Sequence, residues 1–186
     1  MKSQDAIIHG ANHITDHDVY FFKEGNHFKL YNKLGAHLTE VNGVKGVHFA
    51  VWAPNAEEVS VIGEFNSWKT DTHRLTVRDD WSCIWEGFMP GLGAGTLYKY
   101  HIRSRYHGYC VQKGDPFAVR WEVPPGTASM VWDLSYEWND LDWMEGRRHR
   151  NSLKGPISIY EVHIVYWRRV PEEDNLHLNY LEFSHQ

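Results

Sequence analysis

Apolar and polar positions alternate through much of the middle of the chain. In GVHFAVW (46–52) Val47, Phe49 and Val51 share one side, and Ala53, Pro54 and Asn55 end the run. VSVIGEF (59–65) alternates again. CIWEGF (83–88), TLYKYHIR (96–103) and ASMVWDL (128–134) are further runs rich in β-branched and aromatic residues. Side chains of a strand alternate between its faces, so period-two runs separated by turn residues predict an antiparallel β-sandwich.

Other stretches break this rhythm. Residues 1–15 read as a loose leader. Asp16 to Phe22 suits a short helix, capped by Thr15 or Asp16 and ended by Gly25. SYEWNDLDWMEGRRH (135–149) can hold one short helix before Gly146, and LKGP (153–156) punctuates the chain. ISIYEVHIVYW (157–167) is different in kind, an apolar run with little alternation, as expected of a strand covered on both faces in a parallel sheet. Residues 168–186 read as a loop and the start of a helix at Tyr180. The pattern therefore finishes one domain and begins another.

Composition narrows the function. A chain of 186 residues can bury roughly 70% of its unfolded surface without staples. Its 9 Trp, 10 Tyr and 8 Phe make it rich in aromatic residues, while its net charge of −5 argues against nucleic acid. The basic cluster Arg147, Arg148, His149 and Arg150 reads as a solvated linker. Cys83 and Cys110 are too few for a disulfide framework and suit reduced thiols in the cytoplasm. The polar amino terminus has no signal-peptide core, and no apolar run reaches membrane-spanning length. These features predict a soluble cytoplasmic protein.

The chemistry-bearing motifs are weak. GLGAG (91–95) precedes a predicted strand rather than a helix, which makes it a hairpin loop and not a phosphate cradle. His13 and His17 have helical spacing without a third ligand. Glu161 and His163 would share a strand face without forming a site alone. No nucleophile elbow, carboxylate pair, metal set or cofactor motif stands out. Trp52, Trp81 and Trp85 are assigned to the core. Trp68 stands alone in a polar run from Asn66 to Arg74, and Lys99 and Tyr106 also fall at strand ends or loops. An indole there either covers the core or offers a flat apolar face to a sugar.

Three longer stretches carry a resemblance: KLGAHLTEVNGVKGVHFAVWAPNAEEVSVIGEFNSW, KGDPFAVRWEVPPGTASMVWDLSYEWND and SIYEVHIVYWRRVPEE. From about Phe21 to about Glu173 the chain resembles the amino-terminal part of 1,4-α-glucan (glycogen) branching enzymes. FAVWAPNA and GEFNSW are shared with carbohydrate-binding modules of family 48, and the later stretches are more specific to branching enzymes. The resemblance implies a leader at 1–20 and an immunoglobulin-like sandwich module at 21–125. It further implies a connector at 126–156 and, at 157–186, a truncated start of a family 13 glycoside hydrolase (β/α)₈ barrel. It also implies a cytoplasmic role in glycogen synthesis, in which an α-1,4 glucan chain is cut and rejoined through an α-1,6 bond by a retaining Asp and Glu pair.

By the same resemblance, those carboxylates sit on later barrel strands, so no catalytic residue is assigned here and the chain alone is expected to be inactive. Where the family has Leu-Gly-Ser-Trp after Tyr-Glu-Val-His, this sequence has Ile164, Val165, Tyr166 and Trp167. That change and the LEFSHQ tail point to a truncated sequence that no longer builds a barrel. Trp68 would stack on sugar, Lys99 would bond hydroxyls, and Tyr106 is the nearest equivalent of a third contact. The expected partner is an α-glucan such as glycogen or amylopectin, with no membrane, nucleic acid, metal or cofactor. The rival reading is a protein-interaction sandwich that self-associates through the strand at 157–167.

Overall fold

The computed structural model describes Ile7, residues 13–150, Ser152, and residues 154–171 and 174–185. Two compact units meet in sequence at Ser135 and Tyr136. Among the described residues of the first unit are one α-helix, α1 (Asp16–Lys23), two short 3-10 turns and eight strands. One antiparallel sheet runs in the order β1 (Gly35–Val41), β2 (Val44–Trp52), β5 (Ile84–Pro90), β4 (Thr76–Val77). The second joins β3 (Ala56–Gly63), β6 (Leu97–Ser104) and β7 (Cys110–Lys113), and the short β8 (Ser129–Met130) also pairs with β6.

The predicted alternation packs these sheets face to face. Val47, Phe49 and Val51 of β2 and Trp85 and Met89 of β5 meet Val59 and Val61 of β3 and Tyr98 and Tyr100 of β6 in one core. Phe49 and Tyr98 meet edge to face with ring centroids 5.0 Å apart. At one side of this core Asp115 is wholly buried. It accepts hydrogen bonds from the Tyr98 hydroxyl at 2.7 Å, the Tyr100 hydroxyl at 3.1 Å and the Phe117 N–H at 2.8 Å. Burial pushes the Asp115 carboxyl above its ordinary range, against the pull of those donors.

β2 is buried on its other face as well. Ile14, Val19 and Leu34 cover Ala50 and Ile84 there. A capping box starts α1: the Thr15 hydroxyl accepts from the Asp18 N–H, and the Asp18 carboxylate accepts from the Thr15 N–H. Several polar groups under this segment are paired, while the buried Nδ1 atoms of His27 and His48 have no hydrogen-bond partner among the described residues. His48, 1% exposed, faces Glu86 at 3.1 Å, and Arg78 bonds Glu86 at 2.5 Å and the Ile14 carbonyl at 3.1 Å. The His13 ring lies 5.2 Å from both His37 and His48.

Several expectations change. Ile14 is 2% exposed and Ile7 packs on the core, so these parts of the leader are not loose; residues 1–6 and 8–12 lie outside the described residues. His13 precedes α1, so it does not share a helix with His17. The run at 59–65 ends as a strand at Gly63 and continues as a 3-10 turn over Glu64–Asn66. β8 is much shorter than the predicted 128–134. β1 was not predicted. It forms because Asn42 and Gly43, both at positive φ, close a two-residue hairpin between Val41 and Val44. GLGAG is no hairpin: it carries the chain from one sheet to the other. Trp85 is core, but Trp52 is 52% and Trp81 92% exposed, each at an end of a strand or turn rather than on the inner face.

The second unit contains α2 (Leu141–Arg150), α3 (Ile164–Trp167), the pair β9 (Arg169–Val170) and β10 (Leu176–His177), and α4 (Tyr180–Ser184). α2 runs through Gly146 instead of stopping before it. The basic cluster forms its last turn, where positive charge suits the helix dipole. α4 begins at Tyr180 as expected, capped by Asn179. The strand predicted over 157–167 is absent: 156–163 has no regular secondary structure and 164–167 is a helical turn. A strand needs neighbours to satisfy its backbone, and none pairs with this segment among the described residues.

Candidate functional site

Gly63, the last residue of β3, begins the motif GEFNSW. A side chain there would meet the Leu97 carbonyl at 2.2 Å and the Phe65 ring at 2.6 Å, so the close strand contact requires glycine. The chain then turns sharply. The Ser67 N–H bonds the Glu64 carbonyl at 3.0 Å and the Trp68 N–H bonds the Gly63 carbonyl at 2.8 Å. Asn66 ties the loop together: its Oδ1 accepts from the Gly63 N–H, and its Nδ2 donates to the Val61 carbonyl at 3.1 Å and the Thr72 hydroxyl at 3.1 Å. Ser67 and Trp68 sit at φ 54° and 60°. That left-handed conformation costs a bulky residue on the order of 1–3 kcal/mol. The loop therefore holds one half-buried indole in a fixed, strained place.

Lys99 lies on β6, opposite Ile62 of β3 and between the buried Tyr98 and Tyr100, so alternation puts it on the outer face of the sheet. Its Nζ is 5.9 Å from the centroid of the Trp68 ring and donates to the Thr127 hydroxyl at 2.6 Å. Trp68, Lys99 and Thr127 thus come from three separate stretches to one patch. Such a patch offers an apolar face beside a cation and a hydroxyl, groups that can donate to and accept from a polyol. Thr127 was missed in the sequence. Its signal was PPGTAS, whose β8 strand brings it beside β6.

Tyr106 is not brought to this patch. It is 60% exposed in the turn between β6 and β7. Lys99 is near one end of β6, and the strand carries the chain about 17 Å from there to Ser104 before Tyr106 is reached. Glu161 and His163 lie in the irregular segment of the second unit. A cleft of about 330 Å³ in the first unit is lined by Tyr31, His37, Leu38, Phe117 and Trp132 among others, without Trp68 or Lys99. Among the described residues no group of three or more His, Cys, Asp or Glu side chains is arranged to hold a metal ion, and no helix is long and apolar enough to cross a membrane.

Residues 33–118 match the family described as carbohydrate-binding module 48 (isoamylase N-terminal domain). A 1,4-alpha-glucan branching enzyme GlgB from Aquifex aeolicus is 52% identical over 92% of this chain. Over this span the chain is similar to a part of such branching enzymes. A second branching enzyme GlgB, from Albidiferax ferrireducens, is also 52% identical over 92% of the chain. The chain spans 27% and 26% of the lengths of these two relatives. Among solved structures, a pullulanase variant of Klebsiella pneumoniae in a maltotriose complex is 29% identical, covers 54% of this chain and 11% of its own, and has a TM-score of 0.44. Trp68, Lys99 and strands β1 to β7 fall within the family 48 match, whereas Thr127 and β8 lie beyond it.

Proposed function

We propose that the chain is the glucan-contacting, amino-terminal portion of a branching enzyme of glycogen synthesis, working in the cytoplasm. Its family 48 module holds an α-glucan against Trp68, with Lys99 and Thr127 bonding sugar hydroxyls. The observation that carries this reading is the convergence of Lys99 on Trp68 at 5.9 Å, with the indole held in a left-handed backbone by the Asn66 loop. A residue covering the core gains nothing from that strain. A residue kept as a rigid platform does.

Chain transfer from α-1,4 to α-1,6 linkage belongs, in this reading, to the catalytic barrel of such an enzyme, and 157–163 forms no strand of it in this structure. The immunoglobulin-like module positions substrate for it and supplies none of its catalytic carboxylates. Tyr106 joins the contact only for a glucan long enough to run the length of β6.

The test is affinity electrophoresis in gels containing glycogen, with Trp68→Ala beside the parent chain. Retardation should fall about tenfold in apparent affinity on losing a stacked ring and the order it imposes. Equal retardation of the variant would remove Trp68 from the site.

A second reading has its own observation. Ile157, Ile159 and Tyr160 are 83%, 87% and 78% exposed, which suits a segment that binds another protein surface or a second copy. Sedimentation that is independent of concentration would dismiss self-association.

A further inference from the structure

Trp81 has no place in the reading above, and its position is costly twice over. Its side chain is 92% exposed, and its backbone lies at φ 64°. The turn around it is nevertheless firmly built. Asp80 accepts from the Ser82 N–H at 2.9 Å and from Arg78 Nε at 2.6 Å, the Ser82 hydroxyl accepts from the Ile84 N–H at 3.2 Å, and Lys23 of α1 donates to the Asp80 carbonyl. These bonds fix the β4–β5 turn against α1 and project the indole outward. Asp80, the residue before Trp81, lines a cleft of about 270 Å³ with Asp16, Val19, Tyr20 and Lys23 of α1; Trp81 itself is not part of that lining. Tyr20 is itself 58% exposed.

We propose that Trp81, Tyr20 and the polar rim of Asp16, Lys23 and Asp80 form a second carbohydrate-contact site, one that takes a neutral α-glucan chain. The identity of the ligand rests on the glucan reading of the module; the location does not. Two aromatic side chains supply apolar faces for sugar C–H groups. Two carboxylates accept from hydroxyls, and the lysine ammonium has donors beyond the one given to Asp80. Arg78 lies 2.6 Å from Asp80 and 3.7 Å from Asp16, so with Lys23 the charges of this rim are balanced, which suits a neutral ligand. The site stands on the first sheet's end and α1, while Trp68 stands on the loop after β3. One module would therefore touch glucan at two places, which raises its affinity for a polymer far more than for a short oligosaccharide.

The experiment uses the full chain and four proteins: parent, Trp68→Ala, Trp81→Ala and the double variant, each run in glycogen gels and titrated with maltoheptaose. Trp81→Ala should weaken glycogen retention about three- to tenfold, with an unchanged melting curve, and the double variant should be weaker than either. Trp81→Tyr should retain most of the binding. Retention unchanged in Trp81→Ala while Trp68→Ala loses it would overturn this second site and leave the first reading intact. The reverse result would uphold the second site and overturn Trp68. A parent chain that is not retarded at all would overturn both.

Discussion

Phe49, Val59 and Tyr100 of the sandwich have no exposed surface, whereas Ile157, Ile159 and Tyr160 of the second unit keep most of theirs. The residue types are alike; the supply of partners differs. Each sandwich strand has a hydrogen-bonded neighbour and an apolar sheet opposite, all from residues before Ser135. The segment 157–163 has neither among the described residues, and it has no regular secondary structure. Apolar sequence alone does not make a strand. Its backbone groups stay with water until a pairing edge is present.

The largest effect that would sharpen this contrast is expected at Asp115. Asp115→Ala leaves the buried Tyr98 hydroxyl without its acceptor and the Tyr100 hydroxyl with only the long bond to the Ala50 carbonyl at 3.5 Å, and should cost about 3–5 kcal/mol in urea unfolding. Ile159→Ala, by contrast, should stay within about 0.5 kcal/mol. A comparable loss at Ile159 would show that the segment is packed in solution and would break the comparison.

A smaller effect is expected from pH in the first unit. Burial lowers the pKa of His13 and His37 from 6.5; His48 and Lys33 push the same way, while carbonyl partners oppose. Because Asn32 and Leu34 offer only carbonyl oxygens, each ring donates from Nε2. Glu86 and Arg78 balance each other beneath the stack, and Asp18 faces Lys33. Below pH 6.5 the unfolded chain binds more protons than the folded one, so stability falls as pH drops from there through the lowered folded values. The urea midpoint should decrease from pH 7.5 to 5.5, and His37→Phe should flatten that slope. Asp18 adds a separate loss at lower pH. Burial would raise it, but bonds from Thr15, His27 and Lys33 hold it well below 3.8, and the stability this gives disappears only as acid protonates it.

The smallest effect concerns exposure inside the well-packed unit. Trp81→Gly relieves a left-handed backbone and should raise stability by about 0.5–1 kcal/mol in thermal unfolding. A loss instead would mean that the indole is packed in solution.

Much of this was legible in the linear pattern. The inner faces of β2, β3, β5 and β6 follow from period-two alternation, and Thr15 with Asp18 announces α1 as a local capping box. Trp68 could be singled out because it is the one large apolar residue in a polar run, and Lys99 was attached to it by family likeness. The Asn42–Gly43 turn was also readable and was passed over, although it would have supplied β1. Asp115 was not legible as a buried node, since nothing near it in sequence names Tyr98 and Tyr100 as its partners. Thr127 was hidden for the same reason.

By itself, then, the sequence determined which side chains face the sandwich core, where α1 begins and which indole stands alone in a polar run, because strand period, caps and isolated aromatics act over a few neighbouring residues. Only the tertiary structure decided that His48 and Ala50 are covered by the segment around α1, that Trp52 and Trp81 stay outside, and that Lys99 reaches Trp68 and bonds Thr127 while Tyr106 lies beyond the far end of β6. Burial and convergence depend on what packs opposite, and that is fixed by partners distant along the chain.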